Sequence, residues 1–334
     1  MTRRKYYFTI GALVAILVVG AYISIHVGTL KIPMSAVFYN FDTAKTGLSP
    51  EQAESFRTIV EQIRFPRVMA ALLCGLALSL SGAAFQSMFR NPLVSPDLLG
   101  VLAGAAFGAS LGMILGNSFL GAQVGAFIFG ILAVALAAVL ARLFPGNRLV
   151  MLIMGGVIST SLFTSLLSVI KYVADSQNKL PAIVYWLMGG FSSVTADSLK
   201  ICGPIIAIGS IIVLCMSGYL NLLSMGDEEA QALGINAPVV RAVIITMTTA
   251  ICATTVALGG MIGWVGLMIP HIARMIVGPD NRRVLPTAAL VGAIYLILVD
   301  DMCRSAFASE IPIGIVTSLL GVPFFVFVTW KTGK

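Results

Sequence analysis

Charge is what this sequence has least of. Asp, Glu, Lys and Arg make up 10% of 334 residues, against about a quarter in an ordinary soluble domain. Apolar residues make up 58%, and the mean hydropathy is +0.98. A soluble core of this length has no room for so much apolar surface, so lipid is the expected solvent. Soft ligands are scarce as well. The histidines are His26 and His271, and Cys74, Cys202, Cys215, Cys252 and Cys303 all lie in apolar runs without a C-x-x-C pair. They read as small buried hydrophobes, and no structural metal site is expected. There is no G-x-x-x-x-G-K-[ST] loop to hold ATP phosphates, no H-E-x-x-H, and no evident Ser/His/Asp or Cys/His set. No catalytic residue and no cofactor are therefore expected. The net charge of +7 could suggest nucleic acid, but the cations are scattered between apolar stretches, as in loops at a membrane surface.

What is abundant is the long apolar run. A membrane helix needs about 20 such residues. Ten spans are predicted at 6–27, 65–88, 95–116, 119–143, 149–172, 199–221, 238–258, 261–277, 285–304 and 312–330. The expected class is an all-α membrane protein over 1–334 as a single permease domain. The first span follows Arg3, Arg4 and Lys5, is too long for a signal-peptide core, and is read as uncleaved with a cytoplasmic N-terminus. An even number of spans returns the C-terminus to the cytoplasm. Twelve cations, among them Arg90, Arg142, Arg148, Arg274, Arg282 and Lys334, then fall inside and nine outside, a modest bias in the expected sense. In the long outer loop 28–64, Ser49-Pro-Glu-Gln52 has the form of a helix cap and predicts a surface helix.

Six features stand out from the apolar background. Glycine recurs every four residues at Gly100, Gly104, Gly108, Gly112 and Gly116, which gives a smooth helix stripe, expected to pack inside the subunit, with a sliding surface used in gating as the rival reading. Ile63-Arg-Phe-Pro-Arg67 opens the second span, with Pro66 suited to a first helical turn. Arg64 and Arg67 can face outward water there and accept an acidic partner, or anchor the span by snorkelling. Arg90-Asn-Pro92 makes a turn, and Ser95-Pro96 opens the third span as N-cap and first helical residue. Asp227, Glu228, Glu229, Ala230, Gln231, Ala232 and Leu233 form a short acidic helix outside the membrane, ended by Gly234. Gly259 to Arg274 carries four glycines and Pro270. Such backbone survives at membrane depth only when buried in protein or lining a cavity. Asp300 and Arg304 are spaced to pair on one helix face.

Taken together, the stretch from about Ile63 to Phe327 resembles the permease subunits of the iron–siderophore, haem and vitamin B12 ABC importers. The marks are R-x-P-R at Arg64 to Arg67, S-G-x-x-x-Q at Ser81 to Gln86, and Arg90-Asn-Pro-Leu93. They continue with Trp186-Leu-Met-Gly-Gly-Phe191, Ala230-Gln-Ala-Leu-Gly234, Ile269-Pro-His-Ile-Ala-Arg274, Glu310-Ile-Pro-Ile-Gly314 and Gly321-Val-Pro-Phe-Phe325. Their order and spacing carry the match. The resemblance implies a homodimer of ten-helix subunits, two separate ATP-binding cassette subunits and an extracytoplasmic binding protein. It implies that Arg64, Arg67 and Arg304 face carboxylates of that binding protein, and that 225–235 docks into the ATPase. Asp301 departs from the family pattern by adding a second carboxylate beside Arg304.

The expected function is thus the membrane path of an importer in the inner membrane, with ferric siderophore as first cargo and cobalamin, haem or an oxyanion behind it. The rivals are an ion-coupled secondary transporter, which would place carboxylates near the bilayer midplane, and an intramembrane enzyme, which would show a clustered polar constellation.

Overall fold

The computed structural model describes residues 1–28, 30–116, 119–306 and 309–332; Lys334 lies outside the described residues. Among them every secondary-structure element is a helix and there is no strand. The helices are α1 (Arg3–His26), α2 (Met34–Phe38), α3 (Thr43–Thr46), α4 (Pro50–Ile59), α5 (Phe65–Met88), α6 (Val101–Gly116), α7 (Phe119–Leu143) and α8 (Arg148–Val173). They continue as α9 (Lys179–Leu187), α10 (Ala196–Cys215), α11 (Ser217–Met225), α12 (Asp227–Ala232), α13 (Ala237–Gly259), α14 (Val265–Val277), α15 (Asn281–Ser305) and α16 (Ile313–Thr332). Seven helical stretches are long and apolar enough to cross a membrane, and α6, α14 and α16 are shorter apolar helices. Together they occupy the ten expected spans.

Helix α5 is the hub. Its side chains are buried almost all round, and α15, α13, α14 and α10 pack against it. Helix α1 lies at the edge of the bundle, buries only Ser24 and packs on α15. Small residues set the closest approaches. A Cβ on Gly108 would overlap the Gly125 carbonyl oxygen of α7, and one on Gly104 would overlap that of Phe129. The α6 stripe therefore packs inside the subunit, as expected.

The expected surface helix exists as α4, with a full capping box between Ser49 and Gln52. It does not stop before the second span. Residues Val60–Arg64 continue it with wider bonding, in which the Phe65 N–H donates to the Val60 carbonyl. Proline at 66 has no N–H and would crowd the carbonyl four residues back. The wider turn removes that conflict without breaking the helix, and Arg64 sits on it.

Two expected starts are corrected. The third span begins at Val101, not 95. Pro96–Leu99 form a separate 3₁₀ turn ended by Gly100 at φ +85°, and Ser95 caps no backbone N–H. The eighth span is helical only from Val265. Residues 260–264 are non-helical, with Gly260 at φ +69° and Trp264 at φ +70°. Thirteen residues of α14 span only about 20 Å, so this extended lead-in helps the segment cross. Two other interruptions, at 188–190 and 311–314, bond to one another and to the end of α13 beside it. Gly190 N donates to Gly259 O at 2.8 Å, Ile313 N to Gly189 O at 3.0 Å, and Gly314 N to Met188 O at 3.0 Å. Gly260 and Ile262 are buried, and Met261 and Gly263 line a cavity, the two conditions under which such backbone is tolerated at membrane depth. Helix α9, which leads into this junction, was not foreseen.

Candidate functional sites at the two ends of the bundle

At the end of the bundle where α5 begins, Arg67 and Arg304 share one ion-pair network through Asp300, and Arg64 and Arg304 both bond to the end of α1. Arg67 donates from Nε to both Asp300 carboxylate oxygens at 3.0 Å and from Nη2 to Asp300 Oδ1 at 2.8 Å, and it also contacts Glu310. Arg304 Nε lies 3.5 Å from Asp300 Oδ2, and its Nη2 contacts Asp301. The same guanidinium donates to Ser24 Oγ at 2.6 Å, Ser24 O at 2.7 Å and Val27 O at 2.9 Å. Ser24 Oγ in turn donates to Asp301 Oδ1 at 2.7 Å. Arg64 donates to the carbonyls of Ile25 at 2.9 Å and His26 at 3.0 Å, and to Leu30 O. It thereby caps carbonyls at the C-terminal end of α1, where a helix leaves acceptors unpaired and favours positive charge.

Arg64 is 5% exposed, Arg67 7% and Asp300 0%. The expectation that Arg64 and Arg67 face outward water is therefore corrected: within the chain both are buried and engaged. The physical reasons differ: Asp300 and Glu310 supply carboxylates to Arg67, whereas Arg64 is held by the carbonyls that end α1. The pairing of Asp300 with Arg304, and the contact of Asp301 with Arg304, follow the helix spacing as expected. Missed were the reach of Glu310 from the loop before α16 to Arg67, the part of Ser24, and the α1 carbonyls. Glu310 stands in a segment already singled out, and Arg67, with no carboxylate at helix spacing in its own span, is a signal that could have found it.

The acidic segment lies at the other end. Asn221 on α11 donates from Nδ2 to Asp280 at 2.7 Å, and Asn281 N donates to Asn221 Oδ1 at 2.8 Å. Arg283 Nη1 donates to Met1 O at 2.7 Å, so the N-terminus and the start of α15 belong to this end. Burial pushes the Asp280 carboxyl up, but hydrogen bonds from Asn221 and the Arg282 backbone, with the charges of Arg283 and Arg282, outweigh it and hold it below the usual carboxylate range. Helix α12 closes as a Schellman motif. Gly234, at φ +79°, donates to Gln231 O at 2.8 Å, and Ile235 N donates to Ala230 O at 3.0 Å. The expected glycine C-cap is present. Ala230 faces the core and is 0% exposed, whereas Glu228, Glu229, Gln231, Ala232 and Leu233 are exposed. Nothing brings this segment near the arginines; α5 separates them.

Among the described residues no cluster of His, Cys, Asp and Glu could hold a metal ion. Cavities line the junction of the breaks. One of about 470 Å³ is bounded by Leu187, Met188, Met261, Ile315, Ser318 and Leu319.

Comparison with known proteins agrees with this arrangement. The model of the FecCD transport family matches residues 16–331. The molybdate import system permease MolB of Haemophilus influenzae is 39% identical over 96% of this chain and 94% of its own length. A probable iron chelatin transport permease of Helicobacter pylori is 35% identical over 85% of this chain and 86% of its own. A solved inward-facing structure of an ABC transporter assigned to the metal-chelate type superposes with a TM-score of 0.86 at 37% identity, covering 97% of this chain and 99% of that one. With a family match across nearly its whole length and relatives aligned end to end, the chain belongs to the FecCD transport family and is the permease subunit of an ABC importer.

Proposed function

We propose that this permease works as a homodimer in the inner membrane, with both termini in the cytoplasm, two separate ATP-binding cassette subunits beneath it and an extracytoplasmic binding protein above. The observation that carries the reading is the placement of two unlike polar constellations at opposite ends of α5. That helix has 24 residues and spans about 36 Å, enough for a bilayer core of about 30 Å. Closure of the ATPases on ATP is passed through 225–235, and the path between two copies switches sides. The arginine end receives the binding protein. Because Arg67 and Arg304 are already paired, docking there is an exchange, in which carboxylates of the binding protein compete with Glu310 and Asp301.

For cargo we propose a ferric siderophore. The cavity at the helix breaks is mostly apolar, with Ser318 its hydroxyl, which suits a bulky chelate better than a bare dianion that needs many donors. Molybdate is the second reading, favoured by the 39% identity to a permease named for it; cobalamin and haem stand behind. Uptake into proteoliposomes holding permease, ATPase and binding protein tests all of this. ATP-dependent uptake of ferric hydroxamate in preference to molybdate is expected. Uptake without the ATPase, driven by a proton gradient, would make the chain a secondary transporter.

A further inference from the structure

A second cavity, of about 540 Å³, opens at the end of the bundle that carries Met1 and α12, between the end of α5, the following turn, α14 and the start of α15. Ser87, Arg90, Asn91, His271, Arg274 and Asn281 are among the side chains that line it. No carboxylate lines it. Among the described residues neither Arg90 nor Arg274 takes part in an ion pair. This contrasts with the opposite end, where Arg67 and Arg304 have carboxylate partners. The neighbouring carboxylate, Asp280, is engaged elsewhere: it accepts from Asn221 Nδ2 at 2.7 Å and from Arg282 N at 3.0 Å, and lies 3.8 Å from Arg283 Nε.

The groups around this cavity are held in place. Gln86 Nε2 donates to Leu267 O at 3.2 Å, which leaves its Oε1 to accept from Arg274 Nη1. A neutral amide oxygen orients that guanidinium without cancelling its charge, and the rest of its donors remain. Ser87 Oγ donates to Asn281 Oδ1 at 2.6 Å, which leaves the Asn281 amide nitrogen as a donor. Arg90 occupies a left-handed backbone position, φ +52°, in the turn after α5, and Asn91 Oδ1 pins that turn by accepting from Leu93 N at 2.9 Å. Two unneutralised guanidiniums with side-chain amides at fixed positions match an oxyanion with several acceptor oxygens.

We propose that this cavity binds a tetrahedral oxyanion, either a small soluble one of the phosphate or molybdate kind or the phosphate of an anionic lipid headgroup. Basic pockets between membrane helices take such headgroups. The site is independent of the cargo and of the docking scheme proposed above, because it is read from this chain alone.

The test uses the full-length chain in detergent. Binding of sodium phosphate and sodium molybdate is measured by calorimetry against sodium chloride at matched ionic strength, and retention of cardiolipin by native mass spectrometry. The variants are Arg274→Gln, Arg90→Ala, whose side chain is exposed and leaves the fold intact, and the distant Lys200→Ala. At least tenfold weaker binding, or loss of the retained lipid, is expected in both arginine variants but not in Lys200→Ala. Binding of the salts alone marks a soluble oxyanion, and retention of cardiolipin alone marks a headgroup. If Arg274→Gln does not fold, Arg90→Ala decides. Absence of any binding above chloride, or binding unchanged in Arg90→Ala, overturns the proposal.

Discussion

Asp300 is completely buried beside two arginines, and its neighbours must keep it charged and satisfied. Removing one member of a buried pair leaves an uncompensated charge and costs about 3–5 kcal/mol. Arg67→Ala is therefore expected to lower the melting temperature of the detergent-solubilised chain sharply. Adding Asp300→Asn should recover part of the loss, because a neutral amide needs no counter-charge. Equal melting of Arg67→Ala and the wild type would mean that the network contributes nothing. Asp301 is a milder case. Its side chain is 16% exposed, so Asp301→Asn should be tolerated far better than any change at Asp300.

Helix contacts here depend on what side chains leave out. The α6–α7 pair approaches so closely at Gly108 that any Cβ meets the opposing carbonyl. Gly108→Val should force the pair apart and abolish recovery of folded protein, whereas Gly11→Val on α1, where nothing lies within 4 Å, should not. Yield of monodisperse protein on gel filtration reads the difference. Helix α12 gives the second element-scale prediction. Ala230 belongs to the buried core, whereas Leu233 is 60% exposed. A cysteine at Leu233 should therefore cross-link to a cysteine in the cleft of the ATPase, and one at Ala230 should not. Labelling of the Leu233 cysteine only from outside intact cells would reverse the topology and remove the coupling role.

For the whole molecule, the arginine end becomes testable through competition. Glu310 is the more accessible partner of Arg67, with a side chain 28% exposed against 1% for Asp300. Glu310→Gln should leave Arg67 short of a counter-charge at the surface and tighten binding of an acidic binding protein to the permease–ATPase complex in nanodiscs. Rising salt should weaken that binding, since exposed charges are screened beyond about 10 Å at 0.1 M. Affinity unchanged in Glu310→Gln and insensitive to salt would leave these arginines as pins that fasten α1 and α15 to α5. Native mass of the solubilised complex should show two permease copies with two ATPases; one copy per two ATPases would reject the homodimer.

Hydropathy runs of about 20 residues mark the spans directly, because lipid requires apolar side chains over a fixed length whatever the neighbours do. Capping chemistry is as local, so Ser49, the Arg90-Asn-Pro turn and the Gly234 cap were legible too, as was the i, i+4 pairing of Asp300 with Arg304. The resemblance to importer permeases rested on the same short segments. What only the tertiary structure decided were the long-range partnerships. Arg67 meets Glu310 across 243 positions of sequence, Arg64 caps a helix it does not belong to, and the breaks at 188–190 and 311–314 bond to one another and to the end of α13. Each depends on which helix ends converge, and hydropathy carries no information about that. The exposure of a charge is decided in the same way: an arginine at a span's end looks water-facing until the fold brings a carboxylate to it.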